Sequence, residues 1–161
     1  MTPGDAELGI RLSVLDRLTD LEPESTTEVP MSGWREMREI KTALCRDLSE
    51  LLNTRRAEAD FDPEFEEATN SILTFGVTDF TAFNLKNRID QDRVRLSLER
   101  AIRQFEPRLT RVTVSVESAD PLKPVLRFEI SATLRAGGEA ILFDAALYRD
   151  SRRVVVAGAE S

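Results

Sequence analysis

Hydrophobic positions change their spacing near residue 109 of the chain. Before that point they recur every three or four residues, and after it every second residue. Met37, Ile40, Leu44, Leu48, Leu51 and Leu52 stand at helical spacing with Arg38, Lys41, Arg46 and Glu50 between them. They predict an amphipathic helix from Gly33 or Trp34 to about Thr54. Asp62-Pro63-Glu64 is a helix start, with Asp as N-cap, Pro at the first helical position and an acid in the first turn. Phe65, Ala68 and Ile72 extend it as an apolar stripe, and Gly76 supplies a stop. Thr78-Asp79-Phe80-Thr81 reads as a turn. A further helix covers about Arg88 to Phe105, with Ile89, Val94, Leu98, Ala101, Ile102 and Phe105 on one side and Asn87 as its candidate cap.

The last third alternates. Val112, Val114 and Val116 form one run. Leu126, Phe128, Ile130, Ala132 and Leu134 form a second, and Ile141, Phe143, Ala145 and Leu147 a third. Gly137-Gly138 between the last two is a hairpin signal, and Val154-Val155-Val156 adds a short strand. One-sided alternation predicts a small antiparallel or mixed sheet with one wet face. The fold class expected is α+β, with N-terminal helices packed on one face of that sheet. Such a sheet has two edges whose unpaired backbone groups attract other chains, and Val154–Val156 is the expected exposed edge.

Residues 1–33 read as an extended arm and linker, 34–157 as a single domain and 158–161 as a tail. Ile10, Leu12, Leu15 and Leu18 make a short amphipathic stretch around Arg11, Asp16 and Arg17. It is too short for a stable isolated helix. Two uses stay open for it: folding back on its own domain, or docking in a partner's groove through Leu12, Leu15, Arg17 and Leu18.

Composition narrows the chemistry. The chain has 161 residues, no histidine, one cysteine and a net charge of -7. The commonest general base and metal ligand is therefore missing. Cys45 lies inside the first helix with no histidine to activate it, so it reads as a packing thiol. No metal or cofactor is expected. The acidic balance argues against nucleic acid, and no apolar run is long enough to enter a membrane directly. The N-terminal residues lack the positive start and apolar core of a signal peptide, which points to the cytoplasm. The segment Lys86–Arg111 is nevertheless basic, with eight bases against four acids, or +4. It is either a solvated face or a surface for an acidic partner.

One tripeptide stands out. Glu106-Pro107-Arg108 follows the last helix and precedes the first strand. Proline disfavours helical backbone at the residue before it, so the helix ends at Phe105 or Glu106. A carboxylate then sits at a helix C-terminus, where the helix dipole is already negative, and a compensating cation is expected. Arg108 is the nearest and can grip a carboxylate with two nitrogens.

Phe105-Glu106-Pro107-Arg108-Leu109 before alternating valines resembles the hallmark of the TssE-like baseplate subunits of bacterial type VI secretion systems. That family includes the lysozyme-like wedge protein of contractile phage tails. Three further blocks agree in order: Leu15-Asp16-Arg17-Leu18-Thr19-Asp20, the run Arg46-Asp47-Leu48 to Asn53-Thr54-Arg55, and Ser71 to Phe80. In the last, Phe75 stands where tyrosine is usual and Val77 where leucine is usual. The resemblance implies a structural subunit at the inner face of the inner membrane, beside TssF, TssG and TssK, that templates the first ring of sheath subunits. It ties Glu106, Pro107 and Arg108 to that contact, and Val154, Val155 and Val156 suit it as an edge.

The lysozyme-like label implies an alternative, peptidoglycan hydrolysis. That reaction needs two carboxylates facing each other about 5–9.5 Å apart across a sugar cleft. Glu106 is one candidate, but neither Glu99 nor Asp144 is distinguished as its partner. An arginine beside Glu106 also favours the carboxylate over the protonated acid that cleavage requires. The expectation is therefore a scaffold and not an enzyme.

Overall fold

Period-two segments pair in the order in which they occur. A computed structural model of the chain describes residues 33–57, 66–117, 125–148 and 150–159. Its strands are β1 (Leu109–Val116), β2 (Val125–Leu134), β3 (Ala140–Tyr148) and β4 (Val154–Gly158). They form one sheet in the order β1-β2-β3-β4, with every neighbour antiparallel. The β2–β3 turn uses Gly137 and Gly138 at φ 81° and 66°, backbone that a side chain would strain.

Among the described residues, three helices precede the sheet: α1 (Gly33–Asn53), α2 (Glu66–Thr69) and α3 (Arg88–Phe105). A 3-10 turn covers Ile72–Thr74. The helical stripes meet the inner row of the sheet. Leu44, Leu48, Leu52, Val94, Leu98 and Ile102 join Phe128, Ile130 and Phe143 in one buried core. This is the α+β arrangement expected from the change of period.

Asn87 caps α3, its side-chain oxygen accepting the Ile89 N–H at 3.0 Å. The helix ends at Phe105, because Glu106 before Pro107 takes φ -113° and ψ 84°. β1 contains a bulge, with a register shift between Thr110 and Thr113 and Arg111 at φ 52°. The extra residue lets Leu109 and Val112, three apart, both face the core.

Three expectations need correction. The helical stripe expected through Phe65, Ala68 and Ile72 does not reach Ile72: α2 stops at Thr69, and Ile72 is 83% exposed while Thr74 is buried. Gly76 is not a helix stop. Its φ is 108°, and a Cβ there would lie 2.4 Å from the Thr54 carbonyl oxygen, so it is a close-approach glycine. Ile89 belongs to the outer face of α3 and is 63% exposed. The arm residues Leu12, Leu15, Arg17 and Leu18, the linker, and the helix start at Asp62-Pro63-Glu64 lie outside the described residues. No described helix is long and apolar enough to cross a membrane.

Candidate assembly site

The turn from α3 into β1 is an ion-paired corner. Arg108 Nε donates to Glu106 Oε1 at 2.7 Å and Nη2 to Oε2 at 2.6 Å, a bidentate grip. The Arg108 backbone N–H also donates to Oε1, at 3.1 Å. Glu106 is only 5% exposed, so this carboxylate is withdrawn from water and depends on its partner.

A second carboxylate completes the grip from α1. Arg108 Nη2 donates to Asp47 Oδ2 at 2.5 Å, and Arg46 Nη2 holds the other oxygen of Asp47 at 2.9 Å. Two acids and two arginines balance. The hydrogen bond to Glu106, the charge of that carboxylate and then Asp47 hold the Arg108 guanidinium more firmly protonated than usual, against the opposing effect of burial. The corner is also tied to the β2–β3 hairpin: Arg135 Nε donates to the Pro107 carbonyl at 2.7 Å, and the Arg135 N–H to the Arg108 carbonyl at 2.8 Å.

The same helix fastens β4. The Asn53 side chain donates to the Val154 carbonyl at 2.7 Å and accepts the Val154 N–H at 2.9 Å. Arg55, just beyond α1, donates to the Arg152 carbonyl at 2.9 Å and lies 3.7 Å from Asp79. The backbone of Thr54 and Arg56 exchanges hydrogen bonds with Val77, at 2.9 Å each way. The sequence blocks around Asp47, Asn53 and Arg55, around Val77 and Asp79, and around Glu106 and Arg108 thus converge on the C-terminal half of α1.

The outer edges of the sheet differ. On β1, the Val112 carbonyl accepts from Arg103 Nε and Nη2 at 3.0 and 2.7 Å. The Val114 N–H donates to Glu99 at 3.2 Å, and its carbonyl accepts from Arg95 at 3.4 Å. Arg95, Glu99 and Arg103 are successive turns of α3, and Glu99 pairs with both arginines. Charged side chains therefore occupy the middle of that edge. On β4, Arg153 and Ala159 direct their hydrogen bonds inward to Tyr148 and Leu142. Alternation then turns Val154, Val156 and Gly158 outward. Asn53 satisfies Val154, but among the described residues no group meets the outward N–H and C=O of Val156 or Gly158.

The family match covers the corner and the β1 edge and stops before β4. The family model "Baseplate wedge protein gp25" matches residues 38–139, from α1 to the β2–β3 hairpin. The chain belongs to the gp25 baseplate wedge protein family. A crystal structure from Geobacter sulfurreducens, described as that of a candidate tail lysozyme, shares the fold of this gp25-family chain at a TM-score of 0.51. It is 15% identical, and the match covers 76% of this chain and 96% of that one. No curated protein matches the gp25-family chain.

Of the residues singled out from sequence, Glu106, Pro107 and Arg108 form the corner of the gp25-family domain, and Val154, Val155 and Val156 lie on the edge strand β4. Asp47 and Asn53 connect both features to α1, and neither was assigned a role from sequence. Both residues lie in the Arg46–Arg55 block, whose polar positions Asp47, Ser49, Glu50, Asn53 and Thr54 carry no mark in the sequence that singles out these two. The Arg95-Glu99-Arg103 row, by contrast, was visible as alternating charge at helical spacing.

Proposed function

We propose that this gp25-family protein is a structural subunit of a type VI secretion baseplate, not an enzyme, and that it starts the contractile sheath by accepting a partner strand on β4. The observation that carries this reading is the unequal finish of the two sheet edges. Strand addition needs unpaired, outward backbone groups, and Val156 and Gly158 present them. The corner of Glu106, Pro107 and Arg108 holds α3 and β1 at a fixed angle to α1, so the edge is offered in one orientation. In this reading the neighbours are TssF, TssG and TssK at the wedge and sheath subunits above it, at the cytoplasmic face of the inner membrane. The N-terminal arm, through Leu12, Leu15, Arg17 and Leu18, is a second contact.

The geometry around Glu106 supports a scaffold over a glycosidase. Both Glu106 oxygens are engaged by Arg108, and the nearest second carboxylate, Asp47, holds the same guanidinium instead of facing it across a cleft.

Val156→Pro tests the proposal. It deletes one outward N–H that has no partner among the described residues, so the fold tolerates it as an edge proline. Cells carrying this variant are expected to make the protein at normal level but to assemble no fluorescently tagged sheaths. Normal sheath number would refute strand addition at β4. Clearing of a peptidoglycan suspension by the purified protein, lost in Glu106→Gln, would restore the enzymatic reading.

A further inference from the structure

The outer face of α3 carries a pattern that packing against its own sheet does not explain. Ile89, Arg93, Leu96, Arg100 and Arg103 follow one another at spacings of four, three, four and three. At 100° per residue they fall within an arc of about 80°, opposite the buried Val94, Leu98 and Ala101. Ile89 is 63% and Leu96 53% exposed, although a solvent-facing stripe is normally polar. Among the described residues, Arg93 pairs with Asp90 alone, at 3.4 Å, and its own side chain stays exposed. Arg100 has no acidic partner among the described residues. Asp92, the exposed acid beside the stripe, lies 3.5 Å from Arg95.

We infer that this stripe is a docking seam for an acidic amphipathic helix of a partner subunit. Four-three spacing is the repeat by which one helix meets another, whereas a strand would contact every second residue of its own and follow no such line. Ile89 and Leu96 are the two apolar knobs, seven residues apart. Arg93 and Arg100 flank them and select Asp and Glu on the partner, while Arg103 at the end of the row is held by Glu99 and the Val112 carbonyl. The seam runs beside the Arg95-Glu99-Arg103 row that covers β1 and lies on a different element from β4, so it does not rest on strand addition. The basic segment Lys86–Arg111 thereby divides in two. Arg95, Arg103 and Arg108 are held inside the domain by acids or backbone carbonyls, and Arg93 and Arg100 face outward.

The test uses the full chain and a fluorescent synthetic helix of about three heptads, with leucine at the seam and glutamate beside it. Fluorescence anisotropy is expected to show saturable binding, weakened about tenfold when lysine replaces the glutamates. The surface variant Leu96→Asp/Arg100→Glu should weaken the acidic helix by about tenfold or more with an unchanged melting temperature, and Arg100→Lys should retain most of the binding. Equal binding of the two peptides, no effect of the double variant, or no binding at all would overturn the inference. So would binding of anionic phosphatidylglycerol vesicles that Leu96→Asp abolishes, which would make the stripe a membrane contact. Crosslinks from Leu96→Cys on a Cys45→Ser background to residues 8–18 of the same chain would give the seam to the protein's own arm, and would also overturn it.

Discussion

Both edge strands turn a row of valines inward, Val112 and Val114 on β1 and Val154 and Val156 on β4. They are finished differently. The outward groups of Val112 and Val114 end on Arg103, Glu99 and Arg95, whereas on β4 the side-chain cover stops at Val154 with Asn53. Edge strands invite unwanted pairing, and charged side chains are a common means of blunting them. The cover on β1 and the open stretch on β4 give the sheet a direction, and the proposed strand addition uses the open side.

The largest effect is expected where β1 begins. Arg108→Ala leaves the buried carboxylate of Glu106 without its cation, and urea unfolding should show a loss of about 3–5 kcal/mol. A loss near zero would mean that the corner does not anchor the closed edge. Next comes the cover itself. Glu99→Ala/Arg103→Ala uncovers Val112 and Val114 and should cost about 1–2 kcal/mol. Sedimentation velocity should then show larger species than the unaltered protein forms, because a second edge is open. Unchanged size and stability would remove the distinction between the edges. On the other side, Asn53→Ala frees both backbone groups of Val154 and should cost about 1 kcal/mol, with faster amide exchange at Val154 and unchanged exchange at Val114.

The smallest effect concerns pH. The Thr81 backbone N–H, assisted by its hydroxyl and by Arg55 and Arg152, holds the exposed Asp79 carboxyl below the usual carboxylate range. A lowered folded-state value stabilises the protein above the ordinary aspartate pKa of about 4, and that contribution disappears as pH falls through the lowered value. Arg55 links Asp79 to the Arg152 carbonyl at the entry to β4. Acidification below about pH 4 should therefore weaken the Arg55–Asp79 tie at the entry to β4, and Asp79→Asn should remove the Asp79 part of that pH dependence. Amide exchange at Arg152–Val154 measured across the acid range in both proteins checks it.

The strands were legible because alternation marks both their existence and their buried face. The cap at Asn87 and the pair Glu106–Arg108 were legible because each is made within two residues. Asp47 and Asn53 were not, since their partners lie 61 and 101 residues away and the pairing follows from the packing of α1. Ile89 was placed on the core side because it continues the row of apolar residues, yet the helix turns it outward. Ile72 was misplaced for a related reason: one period was carried through a stretch where the backbone changes from α2 to a 3-10 turn.

Backbone amide hydrogen exchange at Val156 and Gly158, in the isolated protein and in the assembled baseplate–sheath complex, reports directly on which edge is extended. Strand addition on β4 predicts rapid exchange of both amides in isolation and strong protection in the complex, with Val114 equally protected in the two states. Unprotected Val156 and Gly158 in the complex, or protection gained instead along β1, would contradict it.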